Sequence, residues 1–153
     1  MDKTYETLLV ETPRPHLLRV TLNRPEVGNA KNTQMGLDTL DLWTRLIDHP
    51  GEVRCVVLTG AGDRIFCAGG DLKQRKGMSQ AEWQHQHEIF ERARDALLEV
   101  PVPVIAAVNG RPVRISSFAR RSPTTRASVW VPPPPGMIPI VTSVSANRAP
   151  RAA

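Results

Sequence analysis

The stretch "IFCAGGDLK", Ile65 to Lys73, sets two glycines between an apolar run and an acid, with a lysine after it. Gly69 and Gly70 tolerate positive φ and let backbone amides approach a ligand closely, and a short helix opening at Asp71 would add its positive dipole end. Such a loop suits fixed N–H donors that meet negative charge developing on an oxygen. "AGGD" alone fits better an ordinary glycine turn after a strand, holding nothing. Its flanks decide between the two.

Other reactive side chains weigh less. His85 and His87 lie two apart on a helical stretch, on different faces, and lack the i, i+4 spacing with which two histidines share a metal, so no metal site is expected. Cys55 and Cys67 have no metal-ligand spacing and read as reduced thiols. Lys73, Arg75 and Lys76 could pair with a multiply charged anion or form a solvated surface.

The elements that must hold the loop come next. Thr7–Glu11 and Leu17–Leu22 are short β-prone runs joined through a proline turn, which predicts an antiparallel hairpin. Asn32 or Thr33 can cap a helix whose Leu40, Trp43, Leu46 and Ile47 share a stripe and which stops before Pro50. "VRCVVLT", Val53 to Thr59, reads as a strand covered on both faces and runs straight into the glycines. A second helix starts at Ser79, with Glu82 at capping-box spacing, and continues to about Glu99 with Trp83, Phe90, Ala93 and Leu97 inward. "VIAAVNG", Val104 to Gly110, is another buried strand. Strand, helix and strand again imply parallel pairing and an α/β layer fold.

Composition splits the chain in two. The net charge is +5 over 153 residues, yet seven of the twenty basic residues lie beyond Val100 and none of the fifteen acids does. Ten of the fourteen prolines lie there too, among them Pro132 to Pro135, which bar a regular helix or central strand. Residues 1–110 are therefore expected to form the folded domain, and residues 111–153 a Pro/Arg-rich tail with the composition of a disordered or out-of-frame segment. No run of about 18 apolar residues is present, so no membrane span is expected and the cytoplasm is the default compartment.

Three stretches together, "VTLNRPEVGNAKN", "VRCVVLTGAGDRIFCAGGDLK" and "PVPVIAAVNG", resemble the crotonase superfamily of enoyl-CoA hydratases and isomerases in order, spacing and intervening helices, from about Tyr5 to Gly110. The resemblance implies a spiral of strand-strand-helix turns, here truncated, a homotrimer, and acyl-CoA thioesters as substrates. Coenzyme A would enter as part of the substrate, with no further cofactor. It also implies that the Gly70 amide is one of two oxyanion donors and that Ala68 contacts the CoA adenine, with Ala30 at the nucleotide and Gly69, Asp71, Leu72 and Lys73 completing the loop. Asp71 is expected to cap and orient it. Lys31 stands where the family usually carries an apolar residue, so its side chain is expected to point outward or towards phosphate.

The second half of the pattern departs from the family. Ile115 stands where the second donor glycine belongs and Phe118 where the first catalytic glutamate belongs, and no acid follows Glu99. Phe has no proton to exchange, and Ile lacks glycine's dihedral freedom. Catalysis is accordingly expected to be weak or lost. The alternatives are a non-catalytic acyl-CoA binder and a nonspecific, salt-sensitive RNA binder using the basic residues; the second is the weaker, because the tail interleaves few aromatics with its arginines.

Overall fold

A computed structural model describes residues 3–109, 126–130 and 141–145. The chain opens with β1 (Leu8–Arg14) and β2 (Leu17–Leu22), an antiparallel hairpin in which Leu8 faces Leu22 and Val10 faces Val20. α1 (Thr33–Asp48) then crosses over to β3 (Cys55–Gly60), which lies parallel to β2. α2 (Leu72–Lys76) and α3 (Gln80–Glu99) form the next crossover, to β4 (Val104–Val108), parallel to β3. This is the α/β order expected from the sequence.

Each helix starts where a side chain can satisfy its free amides. Asn32 accepts from Met35 N at the head of α1, and Ser79 and Glu82 form a reciprocal capping box on α3. α1 ends just before Pro50, as the residue preceding a proline is pushed out of helical dihedrals.

The core lies between α1 and the sheet. Leu18, Val20 and Leu22 of β2 project with Val56 and Val104 towards Met35, Leu42, Trp43 and Leu46, all buried. Leu40 and Ile47 only flank this face, one step round the helix from the stripe expected. Asp38 is also buried, with one carboxylate oxygen accepting from Thr7 N at 2.8 Å and from the Thr7 hydroxyl at 2.7 Å. It staples α1 to the start of β1.

α3 packs chiefly on α1. The helices approach closely because Gly36 has no Cβ; one would fall 2.7 Å from the Phe90 ring and 2.9 Å from Ile89. Trp83, expected inward, is instead 43% exposed and stacks on His87 with ring centroids 5.5 Å apart. The face of α3 that is buried runs through Gln86, Ile89 and Ala93.

Two expectations for the sheet change. Among the described residues β3 and β4 are not covered on both faces, for only Val56, Gly60 and Val104 are buried while Val57, Leu58 and Ile105 are half-buried. Helices sit on one side of these strands, and their continuous apolar runs do not reveal that. The tail expected to be irregular also carries two strands, β5 (Arg126–Trp130) and β6 (Val141–Ser145), antiparallel on the edge of β4 and on each other. "RASVW" and "VTSVS" are rich in residues suited to strands, and β4 offers an unpaired edge. Pro132 to Pro135 fall between them, outside the described residues, as do Gly110, Ile115 and Phe118. No helix among the described residues is long and apolar enough to cross a membrane.

Candidate functional site

The glycine loop leaves β3 and runs beside the segment that leads into α1. Ala68 N donates to Gly28 O at 2.9 Å, Lys31 N to Gly69 O at 2.7 Å, and Asp71 N to Lys31 O at 2.9 Å. The last two bonds make a parallel bridge between Lys31 and Gly70. Because Lys31 bonds the residues on either side of Gly70, the N–H and C=O of Gly70 itself point to the opposite edge. Among the described residues the Gly70 amide has no protein acceptor. Gly69 adopts φ +92°, a dihedral that only glycine takes without strain, and this turns the chain so that Gly70 presents that donor.

Two polar side chains, the buried Asn29 and the half-buried Arg24, lock this arrangement. Asn29 is fully buried at φ 55°, and its amide donates to Ala61 O at 3.0 Å and Ile65 O at 2.9 Å while its oxygen accepts from Arg24 N at 3.0 Å. Arg24 Nη1 donates to Ala30 O at 2.6 Å and to Asp71 Oδ2 at 3.0 Å, tying both loops together. "NA" at Asn29–Ala30 marks the place in sequence; nothing local marks Arg24, whose partner is 47 residues away.

Asp71 caps α2, its Oδ1 accepting from Lys73 N at 3.1 Å and Gln74 N at 3.2 Å. Burial pushes its carboxyl pKa upward, but the Gln74 and Lys73 amides and the Arg24 guanidinium outweigh that and hold it below the usual range. Asp71 therefore takes up the amides at the head of the helix, so the dipole end expected to face a ligand is already occupied. Its carboxylate is an internal strut. Leu72, 75% exposed, and Lys73 stand on the open side of α2.

Of the two directions expected for Lys31, the structure overturns only the outward one. Its side chain turns inward, with Nζ 4.8 Å from the centre of the Phe90 ring. Burial lowers the pKa of its ammonium; the Arg75 charge adds to this, against Cys67 and Glu91. Arg75 lies beside it, its guanidinium carbon 2.8 Å from where a Gly70 Cβ would be and 6.0 Å from the Phe90 ring. Gln86 fixes this corner. It is 1% exposed, accepts from Arg75 Nε at 3.2 Å, and donates to the Thr33 hydroxyl at 2.8 Å and Gln74 Oε1 at 2.9 Å. The signal for Gln86 was present in the sequence, as a polar residue on the same helical face as Ile89 and Ala93.

The structure thus brings Ala30, Lys31, Ala68, Gly69, Gly70 and Asp71 together, with Leu72 and Lys73 at the rim. Ala68 O has no protein donor among the described residues, whereas Ala30 is 7% exposed and its carbonyl is occupied by Arg24. An open trough of about 650 Å³ lies elsewhere, on the outer face of α1, lined by Lys3, Leu37, Asp41 and Arg45. His85 and His87 are exposed, and no group of three or more His, Cys, Asp or Glu among the described residues could hold a metal ion.

The enoyl-CoA hydratase/isomerase family profile matches residues 14–113. YngF of Bacillus subtilis is 36% identical over 105 residues, which cover 69% of this chain and 40% of YngF. The short-chain-enoyl-CoA hydratase of Clostridium acetobutylicum is 41% identical over 95 residues, covering 60% of this chain and 34% of that protein. In structure, the chain is similar to the enoyl-CoA hydratase of Bacillus anthracis with a TM-score of 0.65 and 32% identity, over 69% of this chain and 40% of that one. The chain spans about two fifths of the length of these relatives. The shared part is the amino-terminal portion of the crotonase fold and includes both loops of the site. This chain belongs to the enoyl-CoA hydratase/isomerase family.

Proposed function

We propose that the chain binds acyl-CoA thioesters, with the thioester oxygen accepting a hydrogen bond from the Gly70 amide, and that it turns them over weakly or not at all. The observation that carries this reading is the Gly70 N–H, without an acceptor among the described residues and aimed away from Lys31 by the two bonds that flank it. Hydration of an α,β-unsaturated thioester, or a shift of its double bond, builds charge on that oxygen, and a donor held rigid beforehand stabilises it without reorganisation. Arg24, Asn29 and Asp71 supply the rigidity. The open carbonyl of Ala68 suits the adenine amino group better than Ala30 does, and exposed Lys73 and Lys76 suit the phosphates. Coenzyme A is then part of the substrate, and a homotrimer is the assembly that family membership suggests.

Weak turnover follows from Ile115 and Phe118. Loss of one oxyanion donor costs about 10²–10³ in rate, and loss of a general acid-base group about 10²–10⁴. The test combines thermal melts with CoA and butyryl-CoA and the loss of enoyl-thioester absorbance beside an active hydratase. Stabilisation by butyryl-CoA with turnover at least about 10²-fold below the control is expected. Absence of any stabilisation at millimolar ligand would remove the reading.

A further inference from the structure

Lys31 and Arg75 bring two cations to one side of the donor loop. Residues paired in a parallel bridge project to the same face, so the Lys31 side chain stands on the face of Gly70 from which a Cβ would point. That is where the Arg75 guanidinium lies. Both cations reach the single ring of Phe90. Among the described residues neither has a carboxylate within ion-pair distance, whereas Lys3, Arg19, Arg24, Arg45 and Arg94 are all paired. Unpaired lysines elsewhere, such as Lys73 and Lys76, are exposed, but Lys31 and Arg75 are half-buried. Arg75 gives Nε to Gln86, and its terminal nitrogens have no protein acceptor among the described residues. Two like charges removed from water beside one ring are costly, and cation–π attraction offsets only part of that cost. A bound anion would relieve it.

We propose that the acyl group this site accepts carries a carboxylate of its own, recognised by Lys31 and Arg75 beside the thioester oxygen at Gly70. The proposal rests on the acyl-CoA reading above. The planar guanidinium can meet a carboxylate with two parallel N–H bonds while the ammonium supplies a third, and a neutral acyl chain would leave both cations unmatched. Burial disfavours the Lys31 ammonium even with Cys67 and Glu91 near it, a cost that a bound carboxylate would offset. CoA phosphates are the other source of negative charge. They are served better by the exposed lysines of α2 than by a half-buried pair at the seam of α1 and α3.

The experiment is calorimetric titration of the full chain with CoA, butyryl-CoA and glutaryl-CoA, repeated on Lys31→Met and Arg75→Gln. Glutaryl-CoA is expected to bind the unmodified chain at least about tenfold more tightly than butyryl-CoA, with the ratio falling to within about twofold in either variant. Equal affinities in the unmodified chain would overturn the carboxylate assignment and leave the acyl-CoA reading standing, and this comparison needs no variant to fold. Equal weakening of CoA and both thioesters in the variants, with the ratio kept, would assign the cations to phosphate and overturn it as well. Failure of the unmodified chain to bind CoA or either thioester would remove the acyl-CoA reading itself, and the proposal with it.

Discussion

α1 has two unlike neighbours. Towards the sheet it buries Met35, Leu42, Trp43 and Leu46 among aliphatic side chains, with Asp38 the one buried charge. Towards α2 and α3 its first turns present Thr33 and Gly36 to Gln74, Gln86, Ile89 and Phe90. The apolar side gains from area, which is non-directional and tolerates small shifts. The polar seam consists of hydrogen bonds with set angles, and α2 follows directly on Gly70 and Asp71. Stability is thus concentrated on one side of α1, and the geometry of the donor loop on the other.

Trp43→Ala should produce the largest effect, a loss of about 3–5 kcal/mol by urea unfolding, because it removes a large buried ring from the apolar side. A loss below about 1 kcal/mol would show that this interface does not dominate stability.

Changes in the seam should be smaller and more local. Gln86→Leu keeps the volume roughly but strips partners from the Thr33 hydroxyl, Gln74 and Arg75, and should cost about 1–3 kcal/mol. Hydrogen exchange should accelerate in α2 and the loop before it does in β2 and β3; uniform acceleration would contradict the division. At the donor itself, Gly70→Ala and Gly70→Pro both bring a Cβ against Arg75, but only proline also removes the N–H. Butyryl-CoA should keep an advantage over CoA in the alanine variant and lose it in the proline variant. An equal advantage in both would remove Gly70 as the donor.

The smallest effects concern charge. Asp71 has a folded pKa below its usual 3.8, so its contribution is present above that value and is lost as pH falls through the lower, folded pKa. Asp71→Asn should cost about 1 kcal/mol at neutral pH and flatten stability between pH 4 and lower values. Lys31 runs the other way. Its folded pKa lies below 10.5, so the unfolded chain binds more protons in that interval and stability rises with pH as the folded ammonium loses its charge. Lys31→Met should abolish that alkaline rise, which a urea titration at several alkaline pH values would reveal.

Much of the fold was legible because local rules and tertiary packing agree. Asn32 and Ser79 cap their helices, Pro50 follows the end of α1, and the runs at Leu17–Leu22 and Val104–Val108 became strands. Trp83 misled because a helical stripe shows which residues share a face but not whether that face is covered. The runs in β3 and β4 misled likewise, since an apolar sequence is compatible with one covered face or two. In the site, the glycine pair and the capping acid were readable one by one. Gln86 showed only as a polar residue on the face of Ile89 and Ala93, and Arg24 not at all, because its carboxylate partner Asp71 is brought near only by folding.

The sequence by itself determined the strands and helices up to β4, their caps and the stretches that mark the family, since caps and periodicities depend on residues a few places apart. Tertiary structure alone decided that Gly70's amide has no acceptor among the described residues, because Lys31, 39 places earlier, takes the flanking bonds. It also decided that Lys31 turns in over Phe90 beside Arg75, which depends on the close approach of α3 that Gly36 permits. Side-chain direction at a junction of three helices follows from the space left there, and that space has no local signature in the chain.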